Sequence, residues 1–84
     1  MPEIVLYTTT WCGYCIRAKA LLNSLDLGYD EIPLDDDPGF RKRVFELGHQ
    51  WTVPLVVIDG EPIGGYDELA ALNRSGALAE RFAA

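Results

Sequence analysis

The sequence holds only two cysteines, one histidine and one methionine. Two cysteines cannot build the multi-bridge scaffold of a small secreted domain. With His49 they make three soft ligands, one short of the four that a structural zinc site takes. Basic residues are also scarce: seven Lys and Arg stand against 13 Asp and Glu, a net charge of −6. That balance argues against nucleic acid or an anionic membrane as the main partner. Long apolar runs are missing too. Met1-Pro2-Glu3 carries no basic leader, and Ile4-Val5-Leu6-Tyr7 is too short for a signal peptide or a membrane span. No repeat, linker or low-complexity stretch divides the 84 residues. The expectation is one small monomeric domain over 1–84, in a reducing cytosol.

Both cysteines fall in one motif, Cys12-Gly13-Tyr14-Cys15. A lone Cys-x-x-Cys beside a strand–helix–strand pattern reads as a redox pair; the alternative is two buried, inert thiols. Residues three apart on a helix share a face, so the two sulfurs can meet in a reversible bond. Cys12 falls at the expected helix start, where free N–H groups and the dipole favour an anion and lower a thiol's pKa. Cys15 is a turn further in and is expected to be more buried. Cys12 is therefore the expected nucleophile and Cys15 the resolving thiol.

In order, Ile4–Tyr7 reads as a strand buried on both faces, and Thr8–Trp11 as a loop in which Thr10 can cap the next helix. From Gly13 to Leu27 the period is helical, with Cys15, Ala18, Leu21, Leu22 and Leu25 on one face and Gly28 as the stop. Tyr29–Leu34 is a second strand, confined to an edge by Pro33. Such a strand–helix–strand unit is expected to be parallel and right-handed. Asp37 as N-cap and Pro38 at the first helical position start a helix to about Leu47, with Phe40, Val44 and Leu47 inward and Gly48 as its end. The acidic run Asp35–Asp37 is thus capping and solvation rather than a metal site. Leu55–Ile58 is a buried strand, Asp59-Gly60 a type I′ turn, and Glu61–Gly64 a returning edge strand marked by Pro62. Asp67 can cap a helix to about Asn73, Gly76 breaks it, and Leu78 and Phe82 suggest a last short helix. His49 reads as a surface residue, and Trp51 as either packing or the lip of a groove.

Five of the seven basic residues, Arg17, Lys19, Arg41, Lys42 and Arg43, lie between 17 and 43. A small anionic ligand can use such a cluster inside an acidic protein; solvated helix faces are the other reading.

The chain resembles a glutaredoxin along nearly its whole length. The resemblance rests on Leu6-Tyr7-Thr8, Cys12-Gly13-Tyr14-Cys15, Arg17–Leu22, Thr52-Val53-Pro54, Asp59-Gly60, Ile63–Leu69 and Ser75-Gly76. It implies an α/β, thioredoxin-like fold: a four-stranded mixed sheet of order 2-1-3-4 with helices on both faces. It also implies a glutathione-dependent thiol–disulfide oxidoreductase, a protein of electron transfer and redox homeostasis. Glutathione is the implied co-substrate, no cofactor is tightly bound, and the partners are glutathionylated or disulfide-containing proteins. By the same resemblance Tyr14 flanks the bound tripeptide, and Pro54 is cis, setting the Val53 backbone against the peptide like an added strand, with Thr52 beside it. Gly65, Tyr66 and Asp67 hold the γ-glutamyl end. Arg41 falls where the family pairs the glycyl carboxylate, unless it is a solvated surface residue.

Two departures stand out. Thr9 replaces the Lys common in the family, which removes a positive charge near the sulfur. Gly13 stands where dithiol members usually have Pro, and members without that Pro include dimers that bridge a [2Fe–2S] cluster through the first Cys, here Cys12, with glutathione as co-ligand. Redoxins served by thioredoxin reductase are a third reading, disfavoured because Gly65-Tyr66-Asp67-Glu68 replaces their Trp-Ser-Gly-Phe-Arg-Pro-like segment.

Overall fold

The computed structural model describes residues 3–82; Met1 and Pro2, part of the stretch expected to carry no leader, lie outside them, as do Ala83 and Ala84. Eight elements follow in order: β1 (Ile4–Thr8), α1 (Gly13–Ser24), β2 (Asp30–Pro33), α2 (Phe40–Gly48), β3 (Leu55–Ile58), β4 (Glu61–Gly64), α3 (Tyr66–Ser75) and α4 (Ala77–Phe82). The strands lie in the order β2-β1-β3-β4, with β2 parallel to β1 and the other pairs antiparallel. Both proline-bearing strands are at the edges, as their missing N–H groups require.

Alternation along the inner strands sends side chains to two cores. On one face Ile4, Leu6, Val56 and Ile58 pack with Ala18 and Leu22 of α1, Leu69 of α3 and Leu78 of α4. On the other, Leu55 packs with Leu34 and with Val44 of α2, under Tyr7, Phe40, Val53 and Val57. Each fully buried aliphatic side chain contributes about 1.5–3 kcal/mol. The hairpin turn is as expected, Asp59 and Gly60 both taking positive φ (52° and 81°).

Helix ends depart from the sequence reading, because they are decided by hydrogen bonds that no hydrophobic period marks, most of them local and one from a distant segment. Thr10 does not cap α1. Its N–H is taken by the Asp35 carboxylate at 2.6 Å, and Cys12 is the N-cap. α1 stops at Ser24, short of Leu27. Leu27 N–H returns to the Leu22 carbonyl at 3.0 Å and Asp26 N–H to Asn23 at 3.1 Å, a Schellman closure. Asp26, with φ 57°, takes the left-handed C′ place that the sequence assigns to Gly28. α2 begins at Phe40, after Gly39 rather than Asp37. Asp37 instead turns the chain beforehand, accepting from Gly39 N–H at 2.8 Å and from Arg43 at 2.9 Å. Leu47 is 40% exposed rather than inward. The line facing the sheet is Phe40, Val44 and Gly48, spaced by four, and Leu47 falls to its side. A Cβ on Gly48 would lie 2.5 Å from Leu55 Cδ1, so that close approach fixes the glycine. α3 is capped by Gly65, not Asp67, which sits in the first turn and complements the helix dipole; the helix runs on to Ser75.

Thr8 is the one buried polar residue among those described. Its hydroxyl donates to Glu31 on β2 at 2.6 Å, and Lys19 on α1 donates to the same oxygen at 3.1 Å. The Thr8 hydroxyl first, then Lys19, hold the Glu31 carboxyl below its ordinary 4.5 despite partial desolvation. A carboxyl depressed by folding adds stability that is whole above its unfolded value and fades as pH falls through its folded one. Glu31→Gln should therefore flatten the loss of stability below about pH 4.5, read as urea midpoint against pH. An acid limb as steep as that of the wild type would show that Glu31 is not a source of it.

Candidate functional site

α1 starts at the sulfur pair. Cys12 has extended backbone (φ −141°, ψ 103°), and its Sγ accepts from the Cys15 N–H at 3.0 Å. The side chain of the N-cap thus takes the place of a capping oxygen, and a free helix N–H points at the sulfur. Cys12 and Cys15 are joined in a disulfide, with Cα atoms 5.2 Å apart. Cys15 is 1% exposed, whereas Cys12 is half-buried at the surface. The order expected from the sequence, an outer and an inner sulfur, is the order seen.

Cys12 faces the loop between α2 and β3. The Val53 carbonyl oxygen lies 3.6 Å from its Sγ, and the Val53–Pro54 peptide is cis. A groove runs along this loop as two adjoining cavities that share Tyr14, Thr52 and Val53. One, of about 350 Å³, is lined also by Thr9, Trp11, Cys12, Gly13, Phe40 and Arg41. The other, of about 290 Å³, adds Gln50, Pro54, Gly65, Tyr66, Asp67 and Glu68. Every residue expected at the site therefore lines this groove, apart from Cys15, which is sealed beneath it.

The two ends carry opposite charge. Among the described residues, Arg41 is the only charged one lining the first cavity, and Asp67 and Glu68 the only ones lining the second. Tyr14 stands between, its ring 6.3 Å from that of Tyr66 and capped by the Arg17 guanidinium at 5.5 Å. A Cβ on Gly65 would meet the Pro54 carbonyl at 3.4 Å, so the start of α3 lies close over the loop. Arg41 also donates to the Trp51 carbonyl at 2.9 Å. The Trp51 ring stacks on Phe45 at 4.3 Å, and Phe45 meets His49 edge-on. Trp51 is thus packing on α2, and His49, with φ 59°, ends that helix.

Trp11, Phe40, Gln50 and Glu68 line the groove without having been singled out from the sequence. The helical spacing of Phe40 marks it for the core. Trp11 and Gln50 lie in loops, where no period marks a facing side chain, and Glu68 reads as an ordinary first-turn acid. Among the described residues no helix is long and apolar enough to cross a membrane.

A glutaredoxin family model matches residues 4–63. A glutaredoxin of Pseudomonas aeruginosa is 44% identical over 93% of this chain and 93% of its own length. Glutaredoxin 3 of Escherichia coli K12 is 40% identical over 93% of this chain and 94% of its own. Among solved structures, a buckwheat glutaredoxin–glutathione complex aligns with TM-score 0.85 at 34% identity, covering 94% of this chain and 74% of that one. These likenesses span the sheet, the sulfur pair and the loop facing it, and the chain belongs to the glutaredoxin family of thiol–disulfide oxidoreductases, its Cys12-Gly13-Tyr14-Cys15 being of the dithiol type.

Proposed function

We propose that this protein reduces glutathione mixed disulfides and protein disulfides, with glutathione as its co-substrate and without a tightly bound cofactor. The observation that carries the reading is the groove, with Arg41 in the cavity that Cys12 lines and Asp67 in the cavity that adjoins it. Glutathione has a carboxylate at its glycyl end and an ammonium beside a second carboxylate at its γ-glutamyl end. Arg41 suits the first, and Asp67, with the Gly65 and Tyr66 backbone at the start of α3, suits the second. Thr52, Val53 and Pro54 line the middle, where an extended peptide can pair with Val53 as an added strand. Tyr14 closes the groove over it.

The reduced Cys12 thiolate, favoured by the Cys15 N–H and the start of α1, attacks the glutathione sulfur of a mixed disulfide. The protein thiolate leaves, and Cys12 carries the glutathione. A second glutathione thiolate then attacks that sulfur, releasing oxidised glutathione and the Cys12 thiolate. Alternatively Cys15 attacks Cys12, expels glutathione and closes the disulfide seen here, which two glutathione molecules reopen. The protein works as a monomer in a reducing compartment such as the cytosol, where glutathione is reduced.

A [2Fe–2S] cluster is not fitted by the donors of one chain. Cys15 is sealed, and among the described residues no group of three or more His, Cys, Asp or Glu is placed to hold a metal ion. Only Cys12 of two copies, with two glutathione thiols, completes the four donors that such a cluster takes.

The deciding experiment is turnover of a glutathionylated peptide with glutathione and glutathione reductase. Robust turnover supports the proposal; none, with full activity alongside thioredoxin reductase, would replace glutathione by another reductant. Within the groove, Thr9→Lys adds a cation to the wall it shares with Arg41 and should raise kcat/KM by up to about five-fold, an exposed ion pair's worth. Arg41→Ala should cost at least as much, and added salt should shrink both effects. An Arg41→Ala protein with wild-type kcat/KM at low ionic strength would place the glycyl carboxylate elsewhere.

A further inference from the structure

The loop facing Cys12 is held by side chains at every carbonyl but one. Arg41 donates to Trp51 at 2.9 Å. The Gln50 amide nitrogen donates twice, to Thr52 at 2.6 Å and to Pro54 at 3.0 Å. Of the four carbonyls from Trp51 to Pro54, only that of Val53 is left to the groove, 3.6 Å from the Cys12 sulfur. We infer that Gln50 is a positioning residue for the reaction: its amide straps Thr52 to Pro54 and so presents the Val53 edge, in register with Cys12, to the incoming peptide.

The side chain suits the task. A carboxamide nitrogen has two hydrogens and serves two acceptors, whereas a carboxylate of the same size has none to give. Neither carbonyl belongs to the strand ladder, so without Gln50 both turn to water and the loop gains alternative conformations. A peptide must then order that loop as it binds, which weakens binding rather than chemistry. Gln50 acts through Val53; it touches no sulfur in this structure.

The inference rests on the proposed glutathione groove, and the test separates the two. Gln50→Ala and Gln50→Glu are assayed with a glutathionylated peptide, and the 15N order parameters of Thr52 and Val53 are measured without ligand. Each lost hydrogen bond is worth several-fold, so KM should rise roughly ten-fold, with kcat little changed. The order parameters should fall from about 0.85 to below about 0.6. Iodoacetamide alkylation of reduced Cys12, which needs no edge, should proceed at the wild-type rate. Because Gln50→Glu keeps the volume of the side chain, its agreement with Gln50→Ala assigns the effect to the donated hydrogens. An unchanged KM would overturn the inference. So would a raised KM with a loop as rigid as in the wild type, since Gln50 would then bind the peptide directly. Wild-type protein without turnover on the peptide would overturn the groove assignment itself.

Discussion

Cys12→Ser should abolish reduction of both mixed and protein disulfides, lowering kcat/KM by about three orders of magnitude or more, the scale of losing a nucleophile. The hydroxyl would stay at the start of α1 and accept from the Cys15 N–H as the sulfur does, so folding should be preserved. Cys15→Ser should behave differently. Its sulfur is sealed at 1% exposure and reaches substrate only through Cys12. Turnover of a glutathionylated peptide should persist within a few-fold, because a second glutathione serves in place of Cys15. Reduction of protein disulfides by the two-thiol route should fail. The readout is coupled turnover with each substrate class, alongside mass spectrometry of a trapped Cys12–glutathione adduct in Cys15→Ser. Near-normal turnover in Cys12→Ser would sink the assignment of the nucleophile.

Leu69→Ala should be among the most destabilising single changes in the chain. Leu69 is fully buried on α3, in the core that also holds Leu6, Leu22, Val56 and Leu78. Truncating a buried leucine costs about 2–5 kcal/mol, according to how far the cavity collapses. A domain of this size has only about 5–15 kcal/mol in total, and its melting temperature should fall by roughly 10 °C or more. α3 also brings Gly65, Tyr66 and Asp67 to the groove, so KM for a glutathionylated peptide should worsen before the fold is lost. Leu47→Ala is the matched control. That side chain is 40% exposed, and its loss should move stability by no more than about 0.5 kcal/mol. Equal destabilisation by the two changes would contradict the helix faces described above.

These two leucines also show what the sequence does and does not disclose. The inner strands are legible because Ile4–Tyr7 and Leu55–Ile58 are continuous apolar runs, and the edges because Pro33 and Pro62 cannot donate to a ladder. The sulfur pair was legible because nothing else in the chain competes for cysteine chemistry. Leu47 was misread because a short helix has several apolar residues within reach of the sheet, and Gly48, which carries no hydrophobic signal, is the residue that meets Leu55. One helix start is hidden because its deciding partner is distant, Asp35 taking the N–H of Thr10 across 25 positions; the end of α1 and the start of α2 turn on local closures at Asp26 and Asp37 that hydrophobic spacing does not reveal. Most groove residues came from the family resemblance. Gln50 could not, because its role lies in which carbonyls its amide reaches.

The outer strands bear on how the protein meets other chains. β2 is exposed along its whole length, and β4 carries Glu61 and Pro62 at its exposed end. Glu31 on one edge is paired with Lys19 and Glu61 on the other with Arg81, so each edge carries an ion pair as well as a proline. A second copy approaching either edge meets a missing donor and charged side chains already engaged, both of which disfavour strand-to-strand docking. Val53 stands apart from both edges, on a loop rather than a ladder. Free main chain is thus offered on the loop beside the sulfur and withheld along the flanks of the sheet, which should keep concentrated solutions of the protein dispersed.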